Sequence, residues 1–142
     1  MSLGTVEDAK KVITKDANGV ENGFLVELFK DGDKTVAYLT TIHPGKFKGY
    51  HLHRVRAARY VPLRGKMKIT LFKPGTQEME EHILDASNPT RLFIPKDIAT
   101  GLESVGDEEA WLINYPDPPY DPNLKDEQVE YTLEELQQGI VK

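Results

Sequence analysis

Arg64-Gly65-Lys66-Met67-Lys68-Ile69-Thr70-Leu71 is the stretch that decides the fold class. Met67, Ile69 and Leu71 fall two apart with polar residues between them, the period of a strand with one face in a core and the other in water. The Arg64-Gly65-Lys66 step in front of it reads as a hairpin turn, because glycine takes a positive φ at little steric cost. Outward from this stretch, turn signals recur at short intervals, among them Asn18-Gly19, Asn22-Gly23, Pro44-Gly45, Pro74-Gly75 and Asn88-Pro89. Such spacing leaves room for short strands. Apolar or alternating runs lie between the turns at residues 24–29, 36–42, 60–63, 66–72, 91–94 and 110–115. Many short antiparallel strands predict an all-β sandwich or barrel.

Only the two ends of the chain read as helical. Thr132-Leu133-Glu134-Glu135 fits a capping box, in which threonine and glutamate satisfy each other's backbone amides, and Gly139 follows as a stop. Residues 116–128 are rich in proline and aspartate and read as a loop. The expectation is one domain over residues 1–142, with a barrel over about 20–116 and a loop and short helix over 117–142. A net charge of −5 speaks against unspecific binding to nucleic acid or to an acidic membrane. The absence of cysteine removes disulfides, thiolate metal sites and cysteine nucleophiles. No apolar run is long enough to cross a bilayer and no signal pattern opens the chain, so the cytoplasm is the expected compartment.

Chemistry concentrates in Lys48-Gly49-Tyr50-His51-Leu52-His53. On a strand the two imidazoles share a face. A basic run of Lys48, Arg54, Arg56 and Arg59 surrounds them and suits an anionic ligand. Trp111 reads as core, and His43 and His82 as surface. The spacing of Gly45, His51, His53 and Gly65 resembles the first motif of the cupin superfamily, which implies a jelly-roll barrel. Ala58 stands where that motif has its glutamate ligand, and Thr100 where the second motif has its third histidine. The resemblance therefore implies no metal, and His51 and His53 as the ligands if one is bound.

Four further fragments, in order, are similar to the nucleotide-sugar branch of the cupins, the dTDP-4-dehydrorhamnose 3,5-epimerases and related keto-sugar isomerases. They are Asn22-Gly23-Phe24-Leu25-Val26-Glu27, Lys48-Gly49-Tyr50-His51, Ile94-Pro95 with Ala99-Thr100-Gly101, and Tyr120-Asp121-Pro122. That resemblance implies proton transfer next to the ketone of a dTDP-4-keto-6-deoxy sugar, without a cofactor, in surface-polysaccharide or deoxysugar biosynthesis. His51 would be the base and Tyr120 the acid, with His53 a second catalytic imidazole as in the isomerases. Lys48 would contact the diphosphate, Glu27 and Phe24 the nucleotide, and Arg56 and Arg59 would supply a cation. Glu27 would come from a second subunit, which implies a homodimer. Two alternatives stay open: a cupin that binds a sugar or anion without turning it over, and a metal-dependent cupin enzyme using His51 and His53.

Overall fold

A computed structural model describes residues 11–31, 35–88 and 90–142 of the chain. The strands, in chain order, are β1 (Lys11–Lys15), β2 (Glu21–Asp31), β3 (Thr35–Ile42), β4 (Phe47–His53), β5 (Ala57–Arg64) and β6 (Lys66–Phe72). They continue with β7 (Met79–Asp85), β8 (Leu92–Ile94), β9 (Ala99–Ser104), β10 (Ala110–Asp117) and β11 (Gln128–Glu130), before one helix, α1 (Leu133–Gln137). Two antiparallel sheets face each other, ordered β1-β2-β3-β10-β5-β8 and β11-β4-β9-β6-β7. This is the expected jelly roll.

The deciding stretch behaves as its alternation requires. Met67 and Ile69 are fully buried and Leu71 nearly so, and they meet Ile42, Ala110 and Leu112 of the opposite sheet in one core with Leu84, Ile94 and Leu102. Gly65 takes φ +72° in the turn before β6, where a side chain would press on the backbone of Glu109. On the six-stranded sheet two inward rows run straight across the strands. Leu25, Thr40, Leu112 and Pro62 pair in one; Glu27, Tyr38, Asn114, Tyr60 and Leu92 pair in the next. Leu112 of the first row joins the core, and both rows line a cavity beside it, Leu25, Thr40 and Leu112 from the first with Tyr38, Asn114 and Tyr60 from the second.

Several expectations need correction. β1 and β11 lie outside the stretch expected to hold the barrel; each is short and gains its order by pairing with a longer neighbour, β2 or β4. Of the helical ends, residues 1–10 fall outside the described residues, and Lys11–Lys15 is strand. Residues 79–85, around His82, form β7 in unbroken register with β6; Met79, Glu81, Ile83 and Asp85 take its outer phase, while His82 pairs with Glu80 at the surface. Trp111 is not core. It stands on the outer face, its indole N–H donating to Glu109 at 2.6 Å and its ring 5.4 Å from the Arg64 guanidinium.

The capping box forms as expected. The Glu135 amide donates to the Thr132 hydroxyl at 3.1 Å, and the Thr132 amide to the Glu135 carboxylate at 2.9 Å. This end seals the outer face of the five-stranded sheet, where Tyr131 and Leu136 pack on Tyr50, Leu52 and Ala99. Among the described residues, no helix is long and apolar enough to cross a membrane.

Candidate active site

A cavity of about 320 Å³ opens at one end of the sandwich. β4 supplies its chemistry through an irregularity. Lys48 pairs with Leu102 and His51 with Thr100, so three steps along β4 oppose two along β9. One residue is therefore extra, a β-bulge. Strict alternation would send Lys48 and His51 to opposite faces; the bulge turns both into the cavity, with His53. Gly49 makes it possible, since at φ +128° an added Cβ would lie 2.6 Å from the carbonyl oxygen of Thr100. The backbone groups of Tyr50 that the bulge frees exchange hydrogen bonds with Tyr131, at 3.3 and 3.0 Å.

The two imidazoles are unlike. His53 Nδ1 accepts from the Arg56 guanidinium at 2.8 Å and lies 3.2 Å from the Glu127 carboxylate. Arginine can only donate and the Glu127 carboxylate can only accept; the shorter contact, with the guanidinium, assigns the proton of the neutral ring to Nε2. Arg56 also donates through Nε to Glu127 at 2.5 Å, and Glu127 is buried. His51 turns its Nδ1 toward the Gln128 amide at 3.5 Å and the Glu130 carboxylate at 3.6 Å, both on β11, leaving its other nitrogen for a ligand.

Electrostatics keeps both rings neutral. Burial lowers the pKa of His51 below its ordinary 6.5; Glu130 opposes the shift and the Lys48 ammonium adds to it. Burial and then the Arg56 charge lower that of His53, against Glu127. Burial pulls the Glu127 carboxyl upward, but Arg56, His53 and the Val55 amide more than offset it and hold the group below the usual carboxylate range. Lys48 is 9% exposed and burial brings its pKa down from 10.5 to about 8. Burial and Glu27 raise the Tyr38 phenol, and burial pushes Tyr60 up to about 12. Tyr120, half exposed, crosses the mouth with the Arg56 guanidinium 5.2 Å from its ring.

His51, His53, Lys48, Arg56 and Tyr120 thus come together in one cavity. Glu27 sits in register with Tyr38 and raises its phenol, at the edge of the inward row. Phe24 and Arg59 do not join them. Phe24 neighbours the inward-facing Leu25 on β2 and turns out under Lys11, 4.4 Å from the ammonium. Arg59 neighbours the inward-facing Tyr60 and lies outside over Phe93. His43, expected at the surface, is half-buried against Glu109 at 2.8 Å, away from the cavity.

Sequence reasoning missed Glu127, Tyr38, Tyr60 and Asn114. The last three stand at the inward phase of strands already legible as such. Glu127 carried no signal. A cupin metal does not fit here. Thr100 stands across from His51 where a third imidazole would be needed, the guanidinium beside His53 Nδ1 repels a cation, and no group of three metal-binding side chains forms among the described residues.

Comparisons with known proteins agree with this fold. The chain is 27% identical over 123 residues to the probable low-salt glycan biosynthesis epimerase Agl13 of Haloferax volcanii, covering 78% of this chain and 79% of that one. It is 23% identical over 130 residues to the spore coat polysaccharide biosynthesis protein SpsL of Bacillus subtilis, covering 84% and 86%. Among solved structures it matches the capsular polysaccharide assembling protein CapF of Staphylococcus aureus, with TM-score 0.72 and 21% identity. That match covers 84% of this chain but only 34% of CapF. The family model described as the polysaccharide biosynthesis C-terminal domain matches residues 18–128, and the chain, a cupin by fold, belongs to that family.

Proposed function

We propose that this protein is an epimerase or isomerase that moves a proton next to the ketone of a nucleotide-linked 4-keto-6-deoxy sugar, on the way to a polysaccharide or glycan. One observation carries the proposal: a neutral imidazole and a buried ammonium face the same cavity, His51 and Lys48. Such a carbon acid yields its proton only to a base in reach, with a cation or donor at the oxygen that takes up the charge. His51 removes the proton, the electron pair moves to the carbonyl oxygen as an enolate, and the Lys48 ammonium stabilises that oxygen. The Tyr120 hydroxyl then returns a proton to the carbon, and solvent takes the one held by His51 and replaces the one given by Tyr120. His53, with its proton on Nε2, is a hydrogen-bond donor to the substrate. Lys48 Nζ has no hydrogen-bond partner among the described residues, which favours it for this role over Arg56, held by Glu127 and His53.

Relatives named for glycan and polysaccharide biosynthesis, one of them a probable epimerase, support the sugar class. Incubation with dTDP-4-keto-6-deoxyglucose in deuterium oxide is the test. Deuterium should enter at C3 or C5 with the wild type and fall at least a hundredfold with His51→Asn. No exchange with this and related keto sugars, despite measurable binding, would leave a binding protein instead. We also propose a homodimer through the outer face of the six-stranded sheet, where Val26, Leu39, Ile113 and Val61 align across four strands. A monomer in sedimentation at micromolar concentration would refute it.

A further inference from the structure

The end of the chain that runs into β11 lays a glutamate against each imidazole of β4. Gln128 pairs with His53 and Glu130 with His51. His51 Nδ1 lies 3.6 Å from the Glu130 carboxylate, and His53 Nδ1 lies 3.2 Å from that of Glu127. A carboxylate can only accept, so each by itself would draw the ring proton onto Nδ1 and leave Nε2 as a bare lone pair, the form of a base. Without a third group, both histidines would be bases lining the same cavity.

Arg56 breaks that symmetry. Its guanidinium donates through Nη2 to His53 Nδ1 at 2.8 Å and through Nε to Glu127 at 2.5 Å, bridging the ring and its carboxylate. The Arg56 and Glu127 side chains are 10% and 6% exposed. The backbone fixes the pair as well: the Val55 amide donates to the second Glu127 carboxylate oxygen at 3.4 Å, and the Arg54 amide to the Glu127 carbonyl at 2.8 Å. Arginine stays protonated and has no acceptor to offer. The Gln128 amide, 3.5 Å from His51 Nδ1, differs in that it can turn its oxygen there as readily as its nitrogen. We infer that Arg56 is a positioning residue that bars His53 from acting as a base, holding it as a donor and leaving His51 as the base of the site. The inference rests on the keto-sugar reading above for its chemistry, but the place of the His53 proton is independent of any substrate. With Arg56 replaced by methionine, the Nδ1 proton passes to the contact with Glu127 and Nε2 is freed. His53 can then take the proton from the sugar carbon, with the electron pair moving to the carbonyl oxygen and solvent returning a proton to the carbon.

Two readouts test it. Nitrogen NMR of labelled histidine should find the neutral His53 proton on Nε2 in the wild type and on Nδ1 in Arg56→Met. Deuterium exchange into dTDP-4-keto-6-deoxyglucose, lost in His51→Asn, should recover at least about tenfold in His51→Asn/Arg56→Met. A merely structural arginine would lower exchange in the double variant, not raise it. A His53 proton that stays on Nε2 without Arg56 overturns the inference, as does a moved proton with no recovery while the wild type exchanges. If the wild type exchanges nothing, the keto-sugar reading falls, and the tautomer comparison still decides whether Arg56 holds the ring. Should Arg56→Met fail to fold, the wild type alone decides: a proton on Nε2 upholds the guanidinium's hold on Nδ1, and a proton on Nδ1 overturns it.

Discussion

Replacing Lys48 by methionine should make the protein more stable and inactive. The side chain is 9% exposed, its ammonium has no hydrogen-bond partner among the described residues, and burial lowers its pKa from 10.5 to about 8. Each tenfold change in proton affinity is worth about 1.4 kcal/mol. The drop therefore corresponds to about 3 kcal/mol that the charged lysine withholds from the fold at neutral pH. Methionine keeps most of the unbranched stem and carries no charge, so it should recover a large part of that. The sign in pH follows. Between about 8 and 10.5 the unfolded chain holds this proton and the folded chain does not, so the lysine's contribution improves as pH rises through that window. Urea unfolding of both proteins should show Lys48→Met ahead by up to about 3 kcal/mol at pH 7, with the gap closing by about 2 kcal/mol between pH 8 and 9.5. Taking the difference between the two proteins cancels the groups common to both. A gap that stays constant over this range would show that Lys48 is not a buried, unpaired ammonium, and the oxyanion role would fall with it.

Glu127→Ala leaves Arg56 with a buried guanidinium and no carboxylate, and should destabilise the fold by about 3–5 kcal/mol in urea. Nitrogen NMR of labelled histidine should find the neutral His53 ring protonated on Nε2; a proton on Nδ1 would refute the Arg56 contact. Because His51 and His53 both titrate below 6.5 in the fold, the unfolded state binds more protons in the window beneath that value. Stability should accordingly fall as pH drops through it, and the acid limb of kcat/KM should lie below pH 6.5, read from a pH series. Gly49→Ala should cost about 1–3 kcal/mol and weaken ligand binding, because its Cβ would collide with the Thr100 carbonyl; wild-type stability in denaturant would show the bulge to be looser than drawn.

Local pattern explains what was legible. Met67, Ile69 and Leu71 reveal their strand because their neighbours are polar and one face meets a core. Thr132 and Glu135 reveal a helix start because a capping box is contained in four residues. The cluster around His51 was visible for the same reason: its members are adjacent in sequence. Glu127 was not, because its role depends on where a loop brings β11 alongside β4, a contact across 74 residues. Arg59 and Phe24 were misplaced because resemblance gives residue type and order, while the side of the sheet depends on phase, which each strand sets for itself. Trp111 misled for another reason. An aromatic in an apolar run suggests a core, yet its neighbours Ala110 and Leu112 hold the inward phase, so the ring must point away.

The extra residue in β4 gives the site a parity. Side chains on a strand alternate like even and odd numbers, and Lys48 and His51 differ by an odd count; Gly49 and Tyr50 between them make the sum come out even in space. Deleting Gly49 would restore simple counting and, with the histidines held by β11, rotate Lys48 out to solvent. The same fold would then enclose a cavity with two imidazoles and without the lysine ammonium, reached by shortening the chain by one residue and changing none of those that line it.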